Sequence, residues 1–404
     1  MIIGFRGFFK NIQRDMLLFI VTLSTVGLGD SVLNAVFNNF LDATYDLNSF
    51  WRTFLEIPRE SGGLLVIIVS AALFFIRSRR LAMIATLCGA IGLIMMALFS
   101  KTFHFMFIWL FMFSLGQHLF MPLNTAIGME LAKEGKTGTM LGRLNAIRNL
   151  ATITGSFLVY VGFKYLSFDF KISFLIASMF YLVGAFTLFC MHPGYAHPAK
   201  THLKLYKEYR MYYWLAILFG TRKQIFLTFA PWVLVTVFKQ PTSMIAQLLT
   251  IAGIGGVAFQ PLLGKAVDRL GERTVLACEA FFLIFVCIGY GYSSQWFSKE
   301  IALIVAAVCF VTDQLLMSVN MARSTYLKKI AISKDHITPT LTMAVSIDHI
   351  FSISIALIGG VVWTKFGHQA VFLFGAVIAL VNLVSAMMLR VPGSTNKTAG
   401  AWLR

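Results

Sequence analysis

"TMLGRLNAIRNLATITGSFLVYVGFKYL" occupies residues 139–166, and 201 positions later the chain runs "TLTMAVSIDHIFSISIALIGGVVWTKFG", residues 340–367. Each stretch is long enough to cross a bilayer as a helix, which takes about 20 mostly apolar residues. Laid over one another, they put Lys164 on Lys365 and Arg148 on His349. A second echo, "FSLGQ" at 113–117 and "FVTDQ" at 310–314, matches Gln117 with Gln314 at an offset of 197. Two echoes at nearly one offset predict six membrane helices duplicated to twelve, with a binding site at mid-membrane between the copies.

The rest of the chain agrees. Of 404 residues, 58% are hydrophobic and 13% charged, and the mean hydropathy is +0.77, which excludes an ordinary soluble domain. Apolar runs predict spans at 15–41, 49–76, 80–100, 103–132, 139–166, 170–191, 210–238, 242–263, 274–295, 300–327, 337–364 and 369–390. The expected fold is therefore all-α and polytopic, with two pseudo-symmetric six-helix bundles, residues 1–191 and 210–404. The basic loop "HPGYAHPAKTHLKLYKEY", 192–209, joins them. The apolar run behind the basic start "MIIGFRGFFKNIQRD" is too long for a signal peptide and lacks a small-residue cleavage site, so it is expected to remain as the first span.

The formal net charge of +17 is dispersed among short loops, a membrane-orientation pattern rather than a nucleic-acid patch. Most Lys and Arg fall on the side that holds both termini, which predicts cytoplasmic termini in a bacterial inner membrane. Cys88, Cys190, Cys278, Cys287 and Cys309 sit in apolar runs without metal-type spacing and read as small buried hydrophobes.

An ionisable side chain at the bilayer centre costs about 2.5–3.5 kcal/mol on insertion scales, so those present are expected to face a bundle interior or a wet cavity. In "WRTFLEIPRESGG", 51–63, helical spacing puts Arg52, Glu56, Arg59, Glu60 and Gly63 on one face, with Pro58 kinking the helix. Asp30, Asn34 and Asn38 make a stripe at strict spacings of four. Asp30 is either a proton site or a carboxylate held permanently by Arg148 or Arg59. Asn145, Arg148, Asn149 and Thr152 share a face, as do Gln117 and Asn124, while His118 points about 100° away from Gln117. Arg222 and Lys223 are adjacent, so at most one faces the cavity squarely and the other is expected to pair with Asp313 or Asp348.

Between the eighth and ninth spans stands "GKAVDRLGER", 264–273. It resembles the cytoplasmic loop signature of the major facilitator superfamily at Gly264, Asp268, Arg269, Gly271 and Arg273, with Glu272 where a basic residue is expected. The equivalent first-half loop reads "IRSRRLAM" and lacks the glycine and the aspartate. The resemblance implies an alternating-access carrier in which the 264–273 loop latches the halves on the cytoplasmic side.

The function expected from these observations is secondary active transport of a small organic solute. Central arginines with nearly balanced acids favour an anion or a zwitterion. Candidate solute ligands are Asn34, Arg59, Gln117, Arg148, Arg222, Lys223 and His349. Candidate proton carriers are Asp30, Glu56, Glu60, Asp313 and Asp348, with sodium the alternative coupling ion. The competing expectation is a proton-linked multidrug efflux antiporter using the abundant Phe and Met. Neither Gly-x-x-x-x-Gly-Lys-Ser/Thr nor H-E-x-x-H occurs, so no enzyme activity, cofactor or metal is expected. The expected partners are the solute, protons and membrane lipid, with no nucleic acid, and the protein is expected to be a monomer.

Overall fold

The computed structural model describes residues 2–45, 56–194, 204–240 and 242–391. Helices make up nearly all of this, because a chain in lipid has to satisfy its backbone hydrogen bonds within each crossing. The first bundle holds α1 (Ile2–Thr44), α2 (Glu56–Ala72), α3 (Ser78–Phe99), α4 (Phe103–Leu131), α5 (Thr137–Tyr165) and α6 (Phe170–Cys190). The second holds α7 (Arg210–Thr236), α8 (Thr242–Leu270), α9 (Glu272–Trp296), α10 (Lys299–Leu316), α11 (Asn320–Ile330) and α12 (Ile337–Met387).

Two departures from one helix per crossing keep the total at twelve crossings. A short 3-10 turn, Met317–Val319, joins α10 to α11 within a single crossing. Conversely, α12 makes two crossings around Gly367, whose φ of 80° is open to glycine at little cost and falls between the spans predicted at 337–364 and 369–390. The first helix starts at Ile2, well before the expected 15. Among the described residues, ten stretches are long and apolar enough to cross a membrane on their own, while α2 and the charge-bearing α7 complete the set.

Each bundle buries its own core. Phe19 and Leu23 of α1 pack with Leu93, Phe113, Phe174 and Tyr181 in the first, and Phe226, Phe229, Tyr290, Phe310 and Phe372 fill the second. Outward faces carry exposed Leu17, Phe186, Phe282 and Ile304, side chains suited to acyl chains. The second core also takes in Ala126, Met129 and Leu141, so the bundles pack together where α4 ends and α5 begins. This end also carries Lys133, Lys136, Lys265 and Arg269 and is the basic side of the molecule.

Candidate functional site

A cavity of about 680 Å³ lies between the bundles, within the range that encloses a small organic molecule. Its first-bundle wall presents Asp30 and Asn34 from α1, Gln117 and Asn124 from α4, and Asn145, Arg148, Asn149 and Thr152 from α5. Lys223, Gln260, Gln314, Asn320, Arg323 and Asp348 face them from the second bundle. The polar faces seen in helical spacing on α4 and α5 thus meet one space.

Asp30 is buried, at 6% exposure, and fully engaged. Arg148 Nη2 donates to its Oδ2 at 3.0 Å and Gln117 Nε2 to its Oδ1 at 3.0 Å, and the Tyr181 hydroxyl donates to Oδ1 as well. The Tyr181 ring is clasped between Gly29 and Gly89, since a methyl group on either would stand 2.7 Å from a ring carbon. Small residues on α1 and α3 therefore aim a hydroxyl from α6 at the carboxylate. Arg148 keeps 38% of its side chain exposed, so one end of this ion pair stays wet.

Across the cavity the polarity reverses. Lys223 on α7 carries the cation and Asp348 on α12 the carboxylate, whose Oδ1 is buried without a hydrogen-bond partner among the described residues. Each bundle thus sets one cation–carboxylate pair between its first and fifth crossings, and all four side chains border the cavity.

Arg222, expected among the solute ligands, turns the other way. It donates to Asp313 Oδ1 at 2.6 Å and to the Met317 sulfur at 2.9 Å, and lies 3.9 Å from Glu279 Oε1. Arg323 Nη2 in turn donates to Glu279 Oε2 at 2.9 Å. Two cations and two anions make a neutral, almost completely buried quartet behind the cavity wall. Only Arg323 of the four borders the cavity, stacked over Phe219 with 4.7 Å from guanidinium carbon to ring centroid. Asp313 accordingly sits in a dry ion pair and does not reach the cavity wall.

Glu60 and His349, also away from that wall, form a link between the bundles, with Glu60 Oε2 2.7 Å from His349 Nδ1. His118 lies against the His349 ring at 4.7 Å between centroids. Arg59 is exposed, and its carbonyl accepts a hydrogen bond from Ser114. The side chains of Asn38 and Glu56, and Arg52 altogether, lie outside the described residues.

On the basic side, Asp268 accepts from the backbone amides of Gly138 at 2.8 Å and Thr139 at 2.7 Å. A carboxylate of the second bundle thereby caps the first turn of α5 in the other bundle, where unpaired amides and the helix dipole favour an anion. Gly264 makes the approach possible, because a methyl group there would stand 2.2 Å from the Gly138 carbonyl oxygen. Gly271 turns the chain into α9 with φ of 83°, and Arg269 and Arg273 are exposed. Glu272 is fully buried and pairs with Lys329 at 2.8 Å, which accounts for an acid at this point of the loop. Lys328 adds bonds to the Met129 carbonyl and to Thr137.

Sequence reasoning missed Glu279, Arg323, Asp15 and Arg79. Glu279 stands in the apolar run "VLACEAFFLIF" and was open to the same test applied to Glu60. Arg323, Asp15 and Arg79 fall near span ends, where a charge passes for a headgroup contact.

Three solved structures share this architecture at low sequence identity. A transporter named FucP, in the outward conformation, aligns with TM-score 0.73 and 12% identity over 92% of this chain and 97% of its own. The human organic anion transporter MFSD10 aligns at 0.66 and 14%, over 93% and 99%. The proton:xylose symporter XylE aligns at 0.65 and 14%, over 93% and 95%. Among curated proteins none matches the sequence significantly. The sequence profile of the Major Facilitator Superfamily matches residues 61–328, two thirds of the chain and both bundles, and on that match the chain belongs to the Major Facilitator Superfamily.

Proposed function

We propose that the protein is a proton-coupled secondary transporter of a small organic anion or zwitterion, working by alternating access. The observation that carries this reading is the pair of opposed ion pairs, Asp30 with Arg148 and Asp348 with Lys223, bordering one cavity from the two bundles. Protonation of Asp30 cancels the charge that holds Arg148 and frees its guanidinium for a forked bond to a solute carboxylate. Loss of the proton returns Arg148 to Asp30 and expels the solute. Lys223 and Asp348 offer a second such exchange, which would suit a solute with two anionic groups or a carboxylate beside an ammonium.

Bonds between the bundles gather from the basic end to mid-depth: Asp268 with Gly138 and Thr139, Asn149 with Gly253, and Ser346 with Gly63. With the basic side cytoplasmic by the distribution of Lys and Arg, this is the outward-facing state, in keeping with the likeness to FucP in its outward conformation. Both termini then lie in the cytoplasm, and residues 1–191 and 210–404 rock as two bodies about the 192–209 loop, the protein acting as a monomer. Among similar structures one belongs to an organic anion transporter and others to proton symporters of fucose and xylose, so anion carriage and proton coupling both occur on this architecture. A multidrug exporter would call for a broad aromatic lining, whereas among the described residues Tyr212 and Phe219 are the aromatic side chains that line the cavity.

The test is uptake by proteoliposomes under an imposed pH gradient, across organic anions, zwitterions, sugars and organic cations. Anions or zwitterions should accumulate against their gradient, and Asp30→Asn should abolish gradient-driven accumulation while leaving exchange of solute for solute. Selective uptake of cations, or accumulation in Asp30→Asn equal to wild type, would overturn the proposal.

A further inference from the structure

Glu60 on α2, His118 on α4 and His349 on α12 come together at mid-depth, away from the cavity wall, although 231 residues separate the two histidines. One donor atom of each lies within 4.8 Å of the other two. Two imidazoles and one carboxylate are a donor set suited to zinc and its transition-metal neighbours, whose ligand atoms in a tetrahedral site stand about 3.3 Å apart given metal–nitrogen bonds of about 2.0–2.1 Å. Reaching that spacing means drawing the wider pairs together and opening the Glu60 Oε2–His349 Nδ1 contact from 2.7 Å.

The surroundings already hold one of the three ligands as a metal site requires. His118 Nδ1 lies 2.9 Å from the Ser114 carbonyl oxygen, an atom that can only accept, so the proton resides on Nδ1 and the Nε2 lone pair is free. Fixing the tautomer by a backbone carbonyl is the usual support for a metal-binding histidine. His118 and His349 are 8% and 4% exposed, while Glu60 keeps a third of its side chain accessible and so leaves an entry. The Lys223 cation beside the cluster is paired with Asp348, which lessens the repulsion a divalent ion would meet.

We propose that Glu60, His118 and His349 bind a zinc-class divalent transition metal. Because Glu60 and His118 belong to the first bundle and His349 to the second, the ion staples the two together in the arrangement described here. Binding of the ion stands apart from the transport reading and is measurable without any solute.

The experiment is calorimetric titration of the purified full-length protein with zinc chloride, paired with thermal unfolding, with magnesium as the hard-cation control. Wild type should bind one zinc per chain and unfold at higher temperature with zinc but not with magnesium. His118→Ala and His349→Ala should each weaken binding by more than about 100-fold, beyond the 10–100-fold that loss of an outer partner costs. His104→Ala, at an exposed position, should bind as wild type does. His349→Cys, which restores a zinc ligand, should recover binding that His349→Ala loses, and this comparison decides the matter even if His118→Ala fails to fold. Zinc binding of equal strength in His349→Ala and wild type, no zinc binding by wild type, or equal stabilisation by magnesium would overturn the proposal.

Discussion

The loop after α2 and the loop after α8 occupy matching places in the two bundles and make opposite kinds of contact. In the first, Arg79 turns inward to pair with Asp15 on α1 and, at 3.6 Å, with Glu130 on α4, and Arg80 donates to the Phe189 carbonyl and covers the Phe189 ring. All of these partners belong to its own bundle. In the second, Asp268 reaches across to cap α5 of the other bundle. The first loop tightens a half, and the second couples the halves. A further contrast lies deeper in the membrane, where among the described residues the second bundle buries a quartet of charges while the Asp30–Arg148 pair of the first stays wet at one end.

The largest expected effect tests that deeper contrast. Arg323→Met leaves Glu279 with only the more distant Arg222 and the buried quartet with a net negative charge, and should cost about 3–5 kcal/mol of stability, read from chemical unfolding in detergent, whereas Arg323→Met with Glu279→Leu should recover most of the loss. Arg148→Met in the half-exposed pair should cost distinctly less. Comparable losses in the two bundles would erase the distinction.

The next test concerns the two cavity cations. Arg148→Gln and Lys223→Gln should each reduce uptake by about 10- to 100-fold, since a charged hydrogen bond contributes about 1.5–3 kcal/mol. Arg148→Gln should lose more, because a guanidinium grips a carboxylate by two parallel bonds and an ammonium by one. Equal losses would make the cations equivalent and weaken the case for forked recognition.

The two loops give a smaller separation. Asp268→Ala removes a helix cap and should shift the balance away from the closed basic side by about 0.5–2 kcal/mol, measured as reduced disulfide trapping between cysteines placed at 139 and 265. Arg79→Gln should instead lower the stability of the first bundle without changing that trapping. The smallest effect is expected for Glu272→Gln, at most about 1 kcal/mol by thermal unfolding, because its partner Lys329 is 42% exposed and finds water readily.

Much of the frame was legible in the chain before any coordinates. Hydropathy placed most helix ends within a few residues because a bilayer fixes helix length, although α1 starts at 2 against the expected 15 and α8 runs to 270 against 263, and the echo between 139–166 and 340–367 pointed to two matching bundles. Helical spacing also gathered Asn145, Arg148, Asn149 and Thr152 on the face that borders the cavity. Spacing fixes a face but not what that face meets, and there the sequence was silent. Nothing in it told that Asp30 would collect Tyr181 and Gln117 as well as Arg148, or which of the adjacent Arg222 and Lys223 would be turned to the dry side. Glu60 and His349 lie 289 residues apart in opposite halves, and only the packing of α2 on α12 makes them neighbours.

Asp268 grips main-chain amides rather than side chains, and this sets what the two halves have to preserve during evolution. A peptide group is the same in every residue, so this contact asks only that α5 begin here with a small residue at 138, while Thr137, bonded to Lys328, and Gly142, packed against Gln260, are held by other contacts. The catch recognises a contour, leaving its counterpart's alphabet almost unconstrained.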